Sequence, residues 1–184
     1  MTGATTAGQA AVGFQECVDL LGRKDGWRVA YARLNNAGHA ALVDVLDGLA
    51  HRDRGVRKWC AALLDHHADE RCAAGLVRAL SDPAADVRRH AVHAIGCQSC
   101  KTSPLPLDVV ALLIERASRD TSVRVRRSAA HLLGLQPADA TEQTLPQALA
   151  ALLAETRAQT LLETDLSVDG DGVDDLPAAP SIGR

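Results

Sequence analysis

The sequence predicts an all-α fold, an α-solenoid of four to five stacked helix pairs. Three observations carry this. Val87-Arg88-Arg89-His90-Ala91-Val92-His93-Ala94-Ile95-Gly96 is echoed thirty-eight residues later by Val125-Arg126-Arg127-Ser128-Ala129-Ala130-His131-Leu132-Leu133-Gly134, and a fixed-period echo marks a repeat architecture. Between the echoes, apolar residues return every three and four positions, as in Leu42, Val45, Leu46, Leu49 and again in Leu76, Val77, Leu80. That is helix spacing rather than strand spacing. Aromatic residues make up only 2% of the chain, so the core must be packed from alanine, leucine and valine, which lets neighbouring helices approach closely.

The elements follow in chain order. Residues 1–9 are small and polar, with no basic start and no apolar run. They predict a disordered N-terminus rather than a signal peptide. Residues 14–21 predict a short capping helix. Trp27-Arg28-Val29-Ala30-Tyr31 and Val56-Arg57-Lys58-Trp59-Cys60 are fainter echoes of the Val87 segment. They place Arg28, Arg57, Arg88 and Arg126 in one column. Each echo is the first helix of a pair. Residues 38–50, 68–80, 106–118 and 145–163 supply the second helices. Asp82-Pro83 and Asp120-Thr121 provide turn and cap chemistry between units. Pro106 suits the first turn of its helix, where a missing N–H costs little. The repeat domain spans residues 10–163. Residues 164–184 hold Asp165, Asp169, Asp171, Asp174 and Asp175 among Gly, Pro, Ala and Ser, a composition that predicts a disordered acidic tail. Asp169-Gly-Asp-Gly-Val-Asp174 lacks the third alternating ligand, the following glycine and the distal glutamate of an EF-hand loop.

Charge is unevenly distributed. Residues 51–136 carry fourteen basic and nine acidic side chains, whereas residues 137–184 carry two and nine. No apolar run approaches the ~20 residues that span a bilayer. Five cysteines without a secretory signal predict a reducing, cytoplasmic setting.

The pattern Asp-x-x-x-x-Val-Arg-x-x-Ala-x-x-Ala-Leu-Gly resembles HEAT repeats, in particular the short HEAT-like or PBS-lyase-like form. The resemblance covers residues 25–157. It is strongest in the units that start at Asp82 and Asp120 and weaker at Asp53 and Asp25. It implies a right-handed α-solenoid of HEAT-like pairs, with Asp and Arg side chains linking adjacent units in a ladder. HEAT-like proteins include scaffolds, phycobilin lyases and DNA glycosylases, so the fold does not select a function.

The densest chemistry lies in His90-x-x-His93-x-x-x-Cys97-x-x-Cys100. His90, His93 and Cys97 share one helix face, and Gly96 allows the helix to end beside Cys97. Imidazoles one turn before a Cys-x-x-Cys are ligand types suited to zinc. Lys101 beside the pair suits thiol redox chemistry instead. His93 also has a counterpart in His131, where no cysteine follows, so the histidine can equally be a plain repeat residue. Cys17, Cys60 and Cys72 read as core. His66-His67 follow a helix ending near Leu64 and suit a helix C-terminus.

Three functional expectations follow. The first is a binding module that presents the second helices to a protein partner through Asp44, Asp47, Glu70, Arg71, Arg78, Glu115 and Arg116, with Trp59 as an aromatic anchor. The second is a small-molecule enzyme or accessory factor, lyase-like or dependent on metal or thiol, centred on the His90–Cys100 cluster. The third is nucleic-acid binding through a basic stripe of Lys58, Arg89, Arg124 and Arg127, against which the overall pI of about 6.1 argues.

Overall fold

The computed structural model describes residues 13–137, apart from 98, 102 and 103. The predicted N-terminal segment 1–9, the helix at 145–163 and the tail 164–184 lie outside the described residues. Among the described residues every regular element is helical. The echoed segments are α2 (Trp27–Ala37), α4 (Arg54–His67), α6 (Ala85–Gly96) and α8 (Val123–Leu133). The capping helix is α1 (Phe14–Leu20).

The intervening helices are shorter than predicted, for local reasons. Gly38 adopts φ +54, a left-handed conformation that ends α2. A 3-10 turn at Gly38–Ala41 then leads into α3 (Leu42–Gly48). Residues 68–80 likewise divide into a 3-10 turn at Glu70–Cys72 and α5 (Ala73–Ala79). The predicted helix at 106–118 starts later, as α7 (Val109–Arg119), so Pro106 precedes it. Asp108 takes the cap, its Oδ1 accepting the Ala111 N–H at 3.0 Å, and so satisfies one of the orphan donors of the first turn.

Helix α4 packs along α6, and α6 along α8. Helix α7 lies against α6 and α8, α5 against α6, and α3 against α1 and α4. The core is aliphatic. Val56, Leu63, Leu64, Val87, Ala91, Ala94, Val125 and Ala129 are fully buried. Each buried leucine contributes roughly 1.5–3 kcal/mol of transfer free energy. Gly96 has a packing role besides ending α6. A Cβ there would stand 3.0 Å from Leu132 and 3.2 Å from Leu113, so the missing side chain sets the approach of α6 to its neighbours.

The column arginines join successive units. Arg57 donates from Nε to Asp82 Oδ2 at 2.6 Å and from Nη2 to Oδ1 at 3.2 Å. Its Nη1 closes back on the carbonyls of His51 and Arg52. Arg88 repeats this one unit on, with both bonds to Asp120 at 2.8 Å and Nη1 on the carbonyls of Asp82 and Pro83. Arg126 Nη1 donates to the Asp120 carbonyl at 2.8 Å. Planar guanidinium and carboxylate groups suit such two-point bonding. Asp82 and Asp120 do not cap the helices directly. Each instead accepts the N–H two residues on, at Ala84 and Ser122, and so shapes the turn. Burial pushes the Asp120 carboxyl up, but Arg88 and the Ser122 N–H outweigh it and hold it below the usual carboxylate range.

Candidate functional site

The C-terminal ends of α4 and α6 converge on a cluster of ligand-type side chains. Asp65, in the last turn of α4, is 8% exposed. Its Oδ1 lies 3.1 Å from His93 Nδ1 in the last turn of α6, and its Oδ2 lies 3.7 Å from His66 Nε2. Cys97 caps α6 in extended conformation, which turns the chain back toward the cluster. Cys100 follows, with its Sγ 2.9 Å from Cys97 Sγ. Lys101 Nζ donates to the Cys97 carbonyl at 2.9 Å.

Two triads in this group have donor atoms that all lie within 4.8 Å of one another: Asp65, His93 and Cys97, and Asp65, His66 and Cys100. Tetrahedral zinc, with bonds of about 2.0–2.3 Å, holds its ligand atoms roughly 3–4 Å apart. Each triad gathers an oxygen, a nitrogen and a sulfur in one neighbourhood, the two triads share Asp65, and the sulfurs of Cys97 and Cys100 are in contact. A second feature marks the spot as unfinished. Asp65 Oδ1 is buried with no hydrogen-bond partner, and its nearest polar neighbour is His93 Nδ1, an ion-pair contact at 3.1 Å.

Electrostatics agree with a cation. Burial would raise the Asp65 carboxyl, but His93, then His66 and Lys101, outweigh it and hold it below its ordinary range. Burial, the Cys97 contact and the Asp65 charge push the Cys100 thiol up to about 12. It is thus a neutral thiol at pH 7 unless a cation arrives to stabilise the thiolate. Burial lowers the Lys101 ammonium, against the pull of Asp65 and both cysteines. Two thiolates and one carboxylate with zinc and Lys101 would make a site neutral as a whole, which reduces the cost of burying each charge.

The four residues of the predicted metal set do not all meet. The structure brings His93, Cys97 and Cys100 together and adds Asp65, with His66 beside them. It places His90 elsewhere. The His90 ring lies against Trp59 at 6.3 Å between centroids, its Nε2 is buried without a partner, and burial followed by the charges of Arg89 and Lys58 lowers it to about 4. His90 and His93 are three apart on a helix and diverge enough to face different neighbours. Asp65 escaped the sequence reading because it belongs to another repeat. One signal was available: by the repeat offsets Asp65 aligns with Gly96 and Gly134, so it is a carboxylate in a column otherwise held by glycine.

Trp59 is not a free anchor. It stacks on Trp27 at 4.4 Å and takes the edge of Tyr31 at 5.6 Å, so α2 rather than α1 covers it. Lys58 Nζ sits 4.2 Å over the same ring, which commits this cation of the predicted basic stripe to a cation–π contact. Arg89 is half-buried beside it, while Arg124 and Arg127 lie on α8. Burial, then the charge of Asp65, raises the Tyr31 hydroxyl to about 12.

The predicted partner surface is mixed. Asp47, Glu70 and Arg78 are exposed and Asp44 is half-buried. Arg71 is clamped by Asp69, with Nη2 at 2.6 Å from Oδ2. Arg116 contacts Glu115 and donates to the Leu80 carbonyl at 3.0 Å, so it joins α7 to the end of α5. Cys17, Cys60 and Cys72 are buried as predicted. His67 does not meet His66 at a shared ligand; its Nε2 pairs with Asn35 Oδ1 at 2.9 Å. No helix among the described residues is long and apolar enough to cross a membrane. No protein-family model matches the chain and no curated protein matches it, so its own geometry carries the functional reading.

Proposed function

We propose that this protein is a HEAT-like α-solenoid that binds zinc between its second and third helix pairs, through Asp65, His93, Cys97 and Cys100. The carrying observation is the convergence of four ligand-type groups from two helices and a connecting segment around a buried, underpartnered carboxylate oxygen. The Arg57–Asp82 and Arg88–Asp120 ladder and the successive packing of α4, α6 and α8 support the solenoid part of the reading. All four zinc positions are taken by protein, the pattern of a structural rather than an open catalytic site. Zinc here fastens α4 to α6 and fixes the segment after Gly96.

Metal analysis of reduced, tag-free protein tests this, beside a Cys97→Ser/Cys100→Ser variant and Asp65→Asn. About one zinc per chain is expected, lost in the cysteine variant and weakened in Asp65→Asn. His90→Gln should keep its zinc. Absence of bound zinc in the reduced protein, even after zinc is supplied, sinks the proposal.

A second reading is a docking surface for a protein partner on α3 and α5. Val43 supports it: this aliphatic side chain is 61% exposed on α3, next to half-buried Asp44 and one turn before exposed Asp47. A photo-crosslinker at Val43 should then give one discrete adduct in cells, lost on Asp47→Lys; a diffuse adduct pattern removes this reading.

A further inference from the structure

We infer that Cys97 and Cys100 are also a disulfide couple, so that a hydroperoxide converts the zinc-holding dithiolate into a disulfide and ejects the metal. The zinc half of this inference rests on the function proposed above; the disulfide half does not.

Position separates these two cysteines from the rest. Cys17, Cys60 and Cys72 are buried in the core, whereas Cys97 and Cys100 are both partly accessible at the end of α6. Their sulfurs are already in contact at 2.9 Å. A bond of about 2.05 Å therefore needs less than ~1 Å of further approach. The two residues sit in a connecting segment rather than inside a helix, so that approach does not have to bend α6. Lys101 holds that segment, bonded to the Cys97 carbonyl, and its charge faces both sulfurs.

The chemistry balances with a hydroperoxide as the two-electron oxidant. One thiolate sulfur attacks the peroxide; the O–O bond breaks, and an alcohol or water leaves with a proton. The resulting sulfenic acid is then attacked by the second thiolate. The S–S bond forms, the S–O bond breaks, and hydroxide leaves and is protonated. The sulfurs lose two electrons and the peroxide gains them. A disulfide cannot supply two thiolate ligands, so zinc is left with Asp65 and His93 alone and dissociates.

The test treats zinc-loaded full-length protein with hydrogen peroxide. Zinc release is followed with a chromogenic chelator and thiol state by intact mass and alkylation. The expected result is one disulfide per zinc released, seen as a mass decrease of two hydrogens mapped to Cys97–Cys100. The three core cysteines should stay unoxidised, dithiothreitol with added zinc should restore the starting state, and the helical circular dichroism should persist throughout. Cys100→Ser should form no such disulfide, and its Cys97 should instead trap a sulfenic-acid reagent. Retention of zinc, or release with sulfinic acid and no disulfide, overturns the inference while leaving the zinc site standing. A protein that takes up no zinc overturns the metal reading, and peroxide treatment of that apo-protein then decides the disulfide couple alone: formation upholds it and its absence removes it.

Discussion

Helices α4 and α6 are joined at both ends, and the two joints differ in kind. Near their N-terminal ends, Arg57 and Arg88 each reach forward to the next turn, and both oxygens of each aspartate accept a guanidinium N–H. This joint recurs along the chain. Near their C-terminal ends, Asp65, His93, Cys97 and Cys100 gather around a buried carboxylate oxygen, Asp65 Oδ1, that is left without a hydrogen bond. This joint does not recur. Its counterparts between α6 and α8 are Gly96, His131 and Leu135, with no carboxylate and no thiol. The repeated joint is saturated; the singular one is not, and it is there that the proposed zinc site falls.

The comparison can be broken at the ladder first. Arg88→Ala should strand Asp120, whose side chain is only 1% exposed, and destabilise the protein by about 3–5 kcal/mol. Urea unfolding measures it. A loss under about 1 kcal/mol would mean the carboxylate finds other donors.

The cluster gives the next largest effect, and one the ladder cannot mimic. A chelator should lower the wild-type melting temperature and leave Cys97→Ser unchanged. An equal response in both proteins would place the metal elsewhere. Zinc binding should also release protons, because the Cys100 thiol is held neutral without it; calorimetry in buffers of different ionisation enthalpy measures that release.

A smaller effect separates His90 from His93. His90 is depressed to about 4, first by burial, so the fold favours its neutral form while the unfolded chain takes a proton below about 6.5. Its contribution is present above about 6.5 and is lost as pH falls toward 4, roughly 1–3 kcal/mol across that window. His90→Phe should flatten this part of the stability profile. The profile staying as steep would assign the slope to another group. Smallest of all, Arg54→Ala removes a 3.5 Å pair with Asp86 in which Arg54 is 69% exposed, and should cost less than about 0.5 kcal/mol by urea unfolding.

The two joints also differ in how far the sequence reveals them. The helices of the echoed segments and the Asp–Arg spacing were legible because repetition shows the same constraint several times. The second helices were legible as helices but not in length, since Gly38 and the capping Asp108 act through single-residue geometry that periodicity does not register. Three of the four proposed ligands were visible as a local motif. The fourth was not, because Asp65 is distant in sequence and meets His93 only through the packing of α4 on α6. His90 was drawn in by helix spacing alone, and its Trp59 neighbour depends on the same tertiary contact.

The forward reach of the ladder has a consequence for how such a chain can grow. Each guanidinium belongs to one unit and its carboxylate to the next, so the joint has a direction. A block cut from Asp82 through Arg119 and inserted again in tandem would give Arg57 its aspartate, the first copy of Arg88 the second copy of Asp82, and the second Arg88 the original Asp120. No ladder charge would be orphaned. Duplication at that boundary keeps every ladder pair from the first generation, whereas a cut between Asp82 and Arg88 would divide the turn from the arginine that closes on its carbonyls. The chain carries in its ion pairs the register at which it can be lengthened.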